Sequence, residues 1–197
     1  MLVNTPMVGW MMRCKAVISS GLEMPASKSF AQRAIIAAAL AEGTSQLHGY
    51  TPCGDNEAAM RVARALGAEI KESGKDLTIR GIGPIKGKLP LERLGTGESG
   101  LLTRLMIPLL SQIAKTPTLV EGEGTLLRRP LADAADIMAS FGVMLTNAIP
   151  QGSKEVKVPV RIEGTLIPGR ADIPGKGGSQ LISGLLMALP LAKELRD

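Results

Sequence analysis

The chain has 197 residues, 45% of them hydrophobic, with four aromatics in all and a formal net charge of +5. Such a composition is globular rather than disordered, and the scarcity of Phe, Trp and Tyr removes the usual stacking platform for single-stranded nucleic acid. The basic excess is scattered, without a Lys/Arg run, and favours anionic partners, small phosphorylated metabolites as readily as nucleic acid.

Two cysteines, Cys14 and Cys53, cannot form a disulfide framework, and with His48 as the only histidine they do not make a zinc site. A reducing cytoplasm is the expected setting, with no metal. The first 12 residues carry no basic residue before their apolar stretch and no small-residue cleavage site, so a secretory signal is not expected. The longest apolar run, over 181–192, contains Ser183, Gly184 and Pro190 and is too short to span a bilayer.

In chain order, residues 14–19 alternate as a strand and 28–41 (KSFAQRAIIAAALA) form a strongly periodic helix closed by Glu42-Gly43. A strand over 44–50, a helix over 55–66 ended by Gly67, and strands over 68–72 and 76–80 follow. The order β-α-β-α-β-β then recurs. Its second copy has a strand over 91–95, a helix over 99–114, a strand over 118–121, a helix over 131–141 ended by Gly142, and strands over 143–146 and 156–163. A third copy begins at Arg170 with a helix over about 179–193. The expected division is an N-terminal extension (1–12) and one domain (13–197) of units about 13–85, 86–163 and an incomplete 164–197, part of a longer fold. A single unit cannot bury both faces of its sheet, so the copies are expected to pack their helices in a common interior.

Each first helix opens on small or hydroxyl residues: Ala26-Ser27-Lys28-Ser29, Gly97-Glu98-Ser99-Gly100 and Gly177-Gly178-Ser179-Gln180. The serines at 29, 99 and 179 lie 70 and 80 residues apart. Helix N-termini present unpaired N–H groups and the positive end of the dipole, which suits anions. Singly, each opening is an ordinary N-cap; three in register point to a ligand. Lys28 adds a charge at the first, and Arg33 and Arg104 follow five positions after Lys28 and Ser99. Arg128-Arg129 before Pro130 are read at a helix start, as a solvated basic pair or as side chains reaching into a cleft. Asp55 and Glu57 are read as dipole-complementing acids, and His48 as a packing or surface residue.

Pro25-Ala26-Ser27-Lys28-Ser29, Gln32-Arg33-Ala34, and the run from Ala39 to Thr44 resemble the N-terminal signature of the 3-phosphoshikimate 1-carboxyvinyltransferase (EPSP synthase) family. Gly97 to Arg104, Arg129-Pro130-Leu131, and Gly178-Ser179-Gln180 followed by Gly184-Leu185-Leu186-Met187 agree with it in order. The resemblance implies an inside-out α/β fold, with β-α-β-α-β-β units around buried helices. It also implies enolpyruvyl transfer from phosphoenolpyruvate to the 5-hydroxyl of shikimate 3-phosphate, without cofactor, nucleic acid or membrane. Carried over by position, Lys28 contacts both substrates, Ser29, Arg33, Ser179 and Gln180 hold shikimate 3-phosphate, and Gly100 and Arg129 face phosphoenolpyruvate. Asp55 supports the cleft near Lys28, and Arg104 matches the arginine closing its loop motif. The proton-transfer groups belong, in the family, to a C-terminal domain expected as this chain's partner.

The chain departs from the pattern at Glu98-Ser99-Gly100-Leu101, where the family commonly has Asn-Ala-Gly-Thr, and at Gly178, where it has Ser. A carboxylate at 98 beside phosphoenolpyruvate is repulsive unless it pairs with an arginine. Two alternatives are a UDP-N-acetylglucosamine enolpyruvyl transferase, whose first motif tends to carry Lys-Asn instead of Lys28-Ser29, and a non-catalytic anion-binding fragment.

Overall fold

The computed structural model describes residues 24–85, 87–131, 133–150, 155–173 and 178–192. The strand expected over 14–19, the extension over 1–12 and the last five residues lie outside them. The described elements begin with α1 (Lys28–Leu40), β1 (Thr44–Leu47), α2 (Gly54–Leu66), β2 (Glu69–Ser73) and β3 (Asp76–Arg80). They continue with β4 (Arg93–Gly95), α3 (Gly100–Ile113), β5 (Thr118–Glu121), α4 (Ala134–Ala139), β6 (Met144–Asn147), β7 (Val160–Glu163) and α5 (Gln180–Ala188).

One sheet has the order β1-β3-β2, all antiparallel; the other is β4-β5-β7-β6, with β4 parallel to β5 and the remaining pairs antiparallel. The orders β1-β3-β2 and β5-β7-β6 are equivalent: in each, the last strand of a hairpin pairs with the strand that precedes the unit's second helix. The internal repeat is therefore a repeat of topology. Leu77 and Ile79 of β3 and Val160 and Ile162 of β7 are buried, while their neighbours along each strand are more exposed, so each sheet has one face on the core and one toward water.

Helices fill the interior. Leu102, Leu105, Met106, Ile107, Leu109 and Leu110 are fully buried and bury α3 on most of its sides, the signature of a core helix. Helix α2 packs on α1, α5 packs along α3, and α3 also touches α1 and α2. Two glycines permit close approaches of backbone to helix. A Cβ on Gly184 would lie 2.5 Å from the Leu105 carbonyl oxygen, and one on Gly81 would lie 2.1 Å from the Ala41 carbonyl oxygen. The first lets α5 sit on α3; the second lets the chain leaving β3 pass under the end of α1, where Ile82 N–H donates to Ala39 O.

Boundaries differ from expectation where turns and proline intervene. Strand β1 stops at Leu47 because Gly49, at φ +74°, turns the chain so that Tyr50 N–H donates to Lys75 O. The helix expected over 131–141 is shorter. A 3-10 turn over Gly124–Arg128 comes first, Leu131 is buried with its N–H given to Val156 O, and only Ala134–Ala139 is α-helical. Arg128 and Arg129 therefore end a turn instead of opening a helix. Strand β7 begins at Val160, after Pro159, which has no N–H to give a ladder. For the same reason α5 gives way to a 3-10 turn over Leu189–Leu191 around Pro190.

Candidate functional site

The N-terminal ends of α1, α2, α3 and α5 line one cleft of about 650 Å³. Lys28 and Ser29 come from α1, Asp55 and Arg61 from α2, Glu98, Gly100 and Arg104 from the start of α3, Thr125 and Arg129 from the segment after β5, and Gln180 from α5. First-turn N–H groups have no intrahelical acceptor, and each helix dipole leaves partial positive charge at that end. Four such ends on one cavity are suited to small anions. Sequence reading anticipated three of them; α2 is the fourth.

The capping serines are not quite those that sequence register aligns. Ser27 caps α1, accepting from Phe30 N–H at 3.4 Å, Ser99 caps α3, accepting from Leu102 N–H at 3.1 Å, and Ser179 precedes α5. Structurally equivalent positions are thus 27, 99 and 179, and Ser29 is the second residue of α1. Ser99 is buried and also donates to Gln32 Oε1 at 2.6 Å, while Gln32 Nε2 donates to Lys28 O at 3.2 Å. This chain of bonds fixes α1 against α3 at the cleft.

Lys28 Nζ lies 2.9 Å from Asp55 Oδ2. The hydrogen bond to Asp55 and its charge raise the Lys28 pKa above its ordinary 10.5, so the ammonium is charged at neutral pH. Asp55 is therefore the partner of Lys28 as well as an acid in the first turn of α2. Arg104 donates from Nη1 to Gly100 O at 3.0 Å and to Gln180 Oε1 at 3.4 Å, and from Nη2 to Pro130 O at 2.7 Å. All three acceptors are neutral. Burial, and secondarily the charge of Arg129, pull the Arg104 pKa below its ordinary value, yet a guanidinium stays charged in proteins. Among the described residues no carboxylate forms an ion pair with Arg61, Arg104 or Arg129.

Arg33 and Ser179 stand beside the cleft wall and bind one another. Arg33 donates from Nε to Ser183 Oγ (2.9 Å), from Nη1 to Ser29 O (3.0 Å) and from Nη2 to Ser179 Oγ (3.1 Å), joining α1 to the start of α5. Two of its five N–H groups remain unused by these bonds. His48 lies away from the cleft, exposed, with Nδ1 3.2 Å from Asp76 Oδ1.

Sequence reading did not single out Arg61, Thr125 or Glu123. Arg61 lies two to three residues deeper in α2 than Arg33 and Arg104 lie in α1 and α3, so no shared register marked it. The cleft wall carries four acids against four cations, so it is not a uniformly basic surface. Glu98 makes no ion pair with an arginine among the described residues; it accepts from Thr125 N–H at 3.0 Å and from the Thr125 hydroxyl at 3.1 Å. The Thr125 N–H foremost, with the hydroxyl, holds the Glu98 carboxyl below its ordinary value of 4.5; Arg129 contributes less.

Buried helices wrapped by sheets, with helix N-termini gathered at one charged cleft, define an α/β protein shaped for small anionic ligands. The family model described as EPSP synthase (3-phosphoshikimate 1-carboxyvinyltransferase) matches residues 13–196, and the chain belongs to that family. It is 34% identical over 180 residues to a 3-phosphoshikimate 1-carboxyvinyltransferase of Methanospirillum hungatei, covering 91% of this chain and 40% of that protein. A protein of the same name from Methanobrevibacter smithii is 32% identical, with 89% and 39% covered. The solved EPSP synthase of Acinetobacter baumannii superposes with a TM-score of 0.73 at 29% identity, covering 85% of this chain and 37% of that one. The chain thus spans about two fifths of the length of the curated relatives it matches.

Proposed function

We propose that the cleft holds shikimate 3-phosphate and phosphoenolpyruvate for carboxyvinyl transfer, the reaction for which the relatives are named, in the shikimate route to aromatic amino acids and in the cytoplasm. The observation that carries this reading is the gathering of four helix N-terminal ends on one cleft with Arg61, Arg104 and Arg129, none of which makes an ion pair among the described residues, beside the Lys28–Asp55 pair. Two anionic substrates repel each other, and holding them in reach requires fixed positive charge between them. Lys28, kept charged and oriented by Asp55, lies between the two subsites. Ser29, Gln180, Ser179 and the two spare N–H groups of Arg33 suit the shikimate phosphate, while Arg129 and the N-terminal end of α3 at Gly100 suit phosphoenolpyruvate. Arg104 supports both subsites by fixing Gln180 and the Pro130 carbonyl.

In the transfer, phosphoenolpyruvate is protonated at its methylene carbon, the 5-hydroxyl oxygen bonds to its central carbon as its proton passes to a base, and the C–O bond to phosphate then breaks as the new methyl group gives up a proton to re-form the double bond. Asp55 is tied to Lys28 and Glu98 to Thr125, so neither is proposed to carry the proton, and the role proposed for this part of the cleft is to hold the substrates. The test compares thermal shifts of the chain with shikimate 3-phosphate, phosphoenolpyruvate and unphosphorylated shikimate. Stabilisation by both phosphorylated ligands and none by shikimate is expected. Equal shifts with shikimate and its phosphate would remove the assignment of the helix N-termini to phosphate.

A further inference from the structure

Glu98 is an acid in a cleft suited to anions, and its contacts give it a task. Its Oε2 takes both bonds from Thr125, at 3.0 Å from the N–H and 3.1 Å from the hydroxyl. Around them, the segment after β5 is laced to the loop before α3: Thr96 N–H donates to Glu121 O and Glu123 N–H to Gly97 O, each at 2.9 Å. Gly124, at φ +53°, lies directly against the carboxylate, where a Cβ would fall 2.4 Å from Glu98 Cδ. Only glycine lets the pair close. The 3-10 turn Gly124–Arg128 is seated by the fully buried Leu126 and leads into Arg129, whose N–H donates to Leu126 O at 3.0 Å. Arg129 is thus carried by a short turn gripped at its start by Glu98.

We propose that Glu98 is a positioning residue: through Thr125 its carboxylate sets the turn that presents Arg129 to the cleft. The inference rests on the reading of Arg129 as a residue that holds phosphoenolpyruvate. Both bonds converge on a single oxygen, so a side-chain amide at 98 supplies the same acceptor, and the role is geometric. Charge is a separate matter: the Arg129 charge favours the ionised Glu98 carboxyl and the Asp55 charge opposes it, each less than the Thr125 bonds.

The test is a set of variants, Glu98→Ala, Glu98→Gln, Arg129→Ala and the Glu98→Ala/Arg129→Ala double, titrated with phosphoenolpyruvate and followed by NMR amide exchange without ligand. Glu98→Ala should weaken phosphoenolpyruvate binding about tenfold and Glu98→Gln by less than about threefold. In the Arg129→Ala background, Glu98→Ala should change binding by less than about twofold, because the two act as one unit. The Thr125 amide should exchange faster in Glu98→Ala and at the parent rate in Glu98→Gln. Independent, multiplying effects in the double variant, an amide variant as damaging as alanine, or an unchanged Thr125 amide would each overturn the proposal. If no variant or parent binds phosphoenolpyruvate, the proposed function fails while amide exchange still decides the tether. Should Glu98→Ala not fold, Thr125→Val, which deletes only the hydroxyl bond, should give the same pattern at smaller amplitude.

Discussion

Replacing Ser99 by alanine probes the joint between α1 and α3 on which the cleft depends. Ser99 is 2% exposed and its Oγ does two things: it accepts from Leu102 N–H at 3.1 Å and donates to Gln32 Oε1 at 2.6 Å. Loss of an N-cap costs about 1 kcal/mol. Gln32 is 1% exposed, so its amide oxygen would be left buried without a donor, at a further ~1–3 kcal/mol. The sum is roughly 2–4 kcal/mol, or a fall in Tm of about 4–16 °C for a chain of this size. Chemical denaturation of the parent and variant, with Ser140→Ala as a control, measures it. Ser140 is exposed at the end of α4, where its hydroxyl donates to Asp136 O, so the loss of that hydroxyl should stay within about 0.5 kcal/mol. A Ser99→Ala cost no larger than that of the control would refute the claim that this buried pair holds α1 to α3.

Gly184→Ala should destabilise by about 1–3 kcal/mol in the same assay, because the added methyl meets the Leu105 carbonyl at 2.5 Å and cannot be relieved by a side-chain rotation. Arg129→Ala should weaken phosphoenolpyruvate binding by roughly 1.5–3 kcal/mol while leaving Tm nearly unchanged, since the side chain is exposed and makes no ion pair among the described residues. The Glu98 carboxyl is depressed in the folded protein, so its stabilisation is present above the unfolded value near pH 4.5 and is lost as pH falls through the lower folded value. The Tm difference between the parent and Glu98→Gln should therefore hold steady at neutral pH and close as acidification carries pH below 4.5 and through the lower folded value.

Much of the framework was legible because it rests on local signals. The Ala- and Leu-rich stretches of α1 and α3, the glycine after α2 and the alternation in β3 fix their elements to within about a residue at each end. Elements set by tertiary contacts were not. The 3-10 turn at Gly124–Arg128 has no periodicity, and Leu131 is drawn out of helix by its bond to Val156. At the cleft, the Ser/Gly openings marked three helix N-termini. The Lys28–Asp55 and Glu98–Thr125 contacts each join residues 27 positions apart, and the approach of Arg61 to Gly97 depends on how α2 packs beside α3. No spacing rule links such residues, so the charge balance of the wall emerged only from the fold.

The most direct test of the account is a calorimetric titration of the chain with shikimate 3-phosphate. Saturable one-to-one binding is expected, with affinity falling as salt rises because fixed cations and helix ends hold a phosphate. No heat and no thermal shift at millimolar ligand would contradict it.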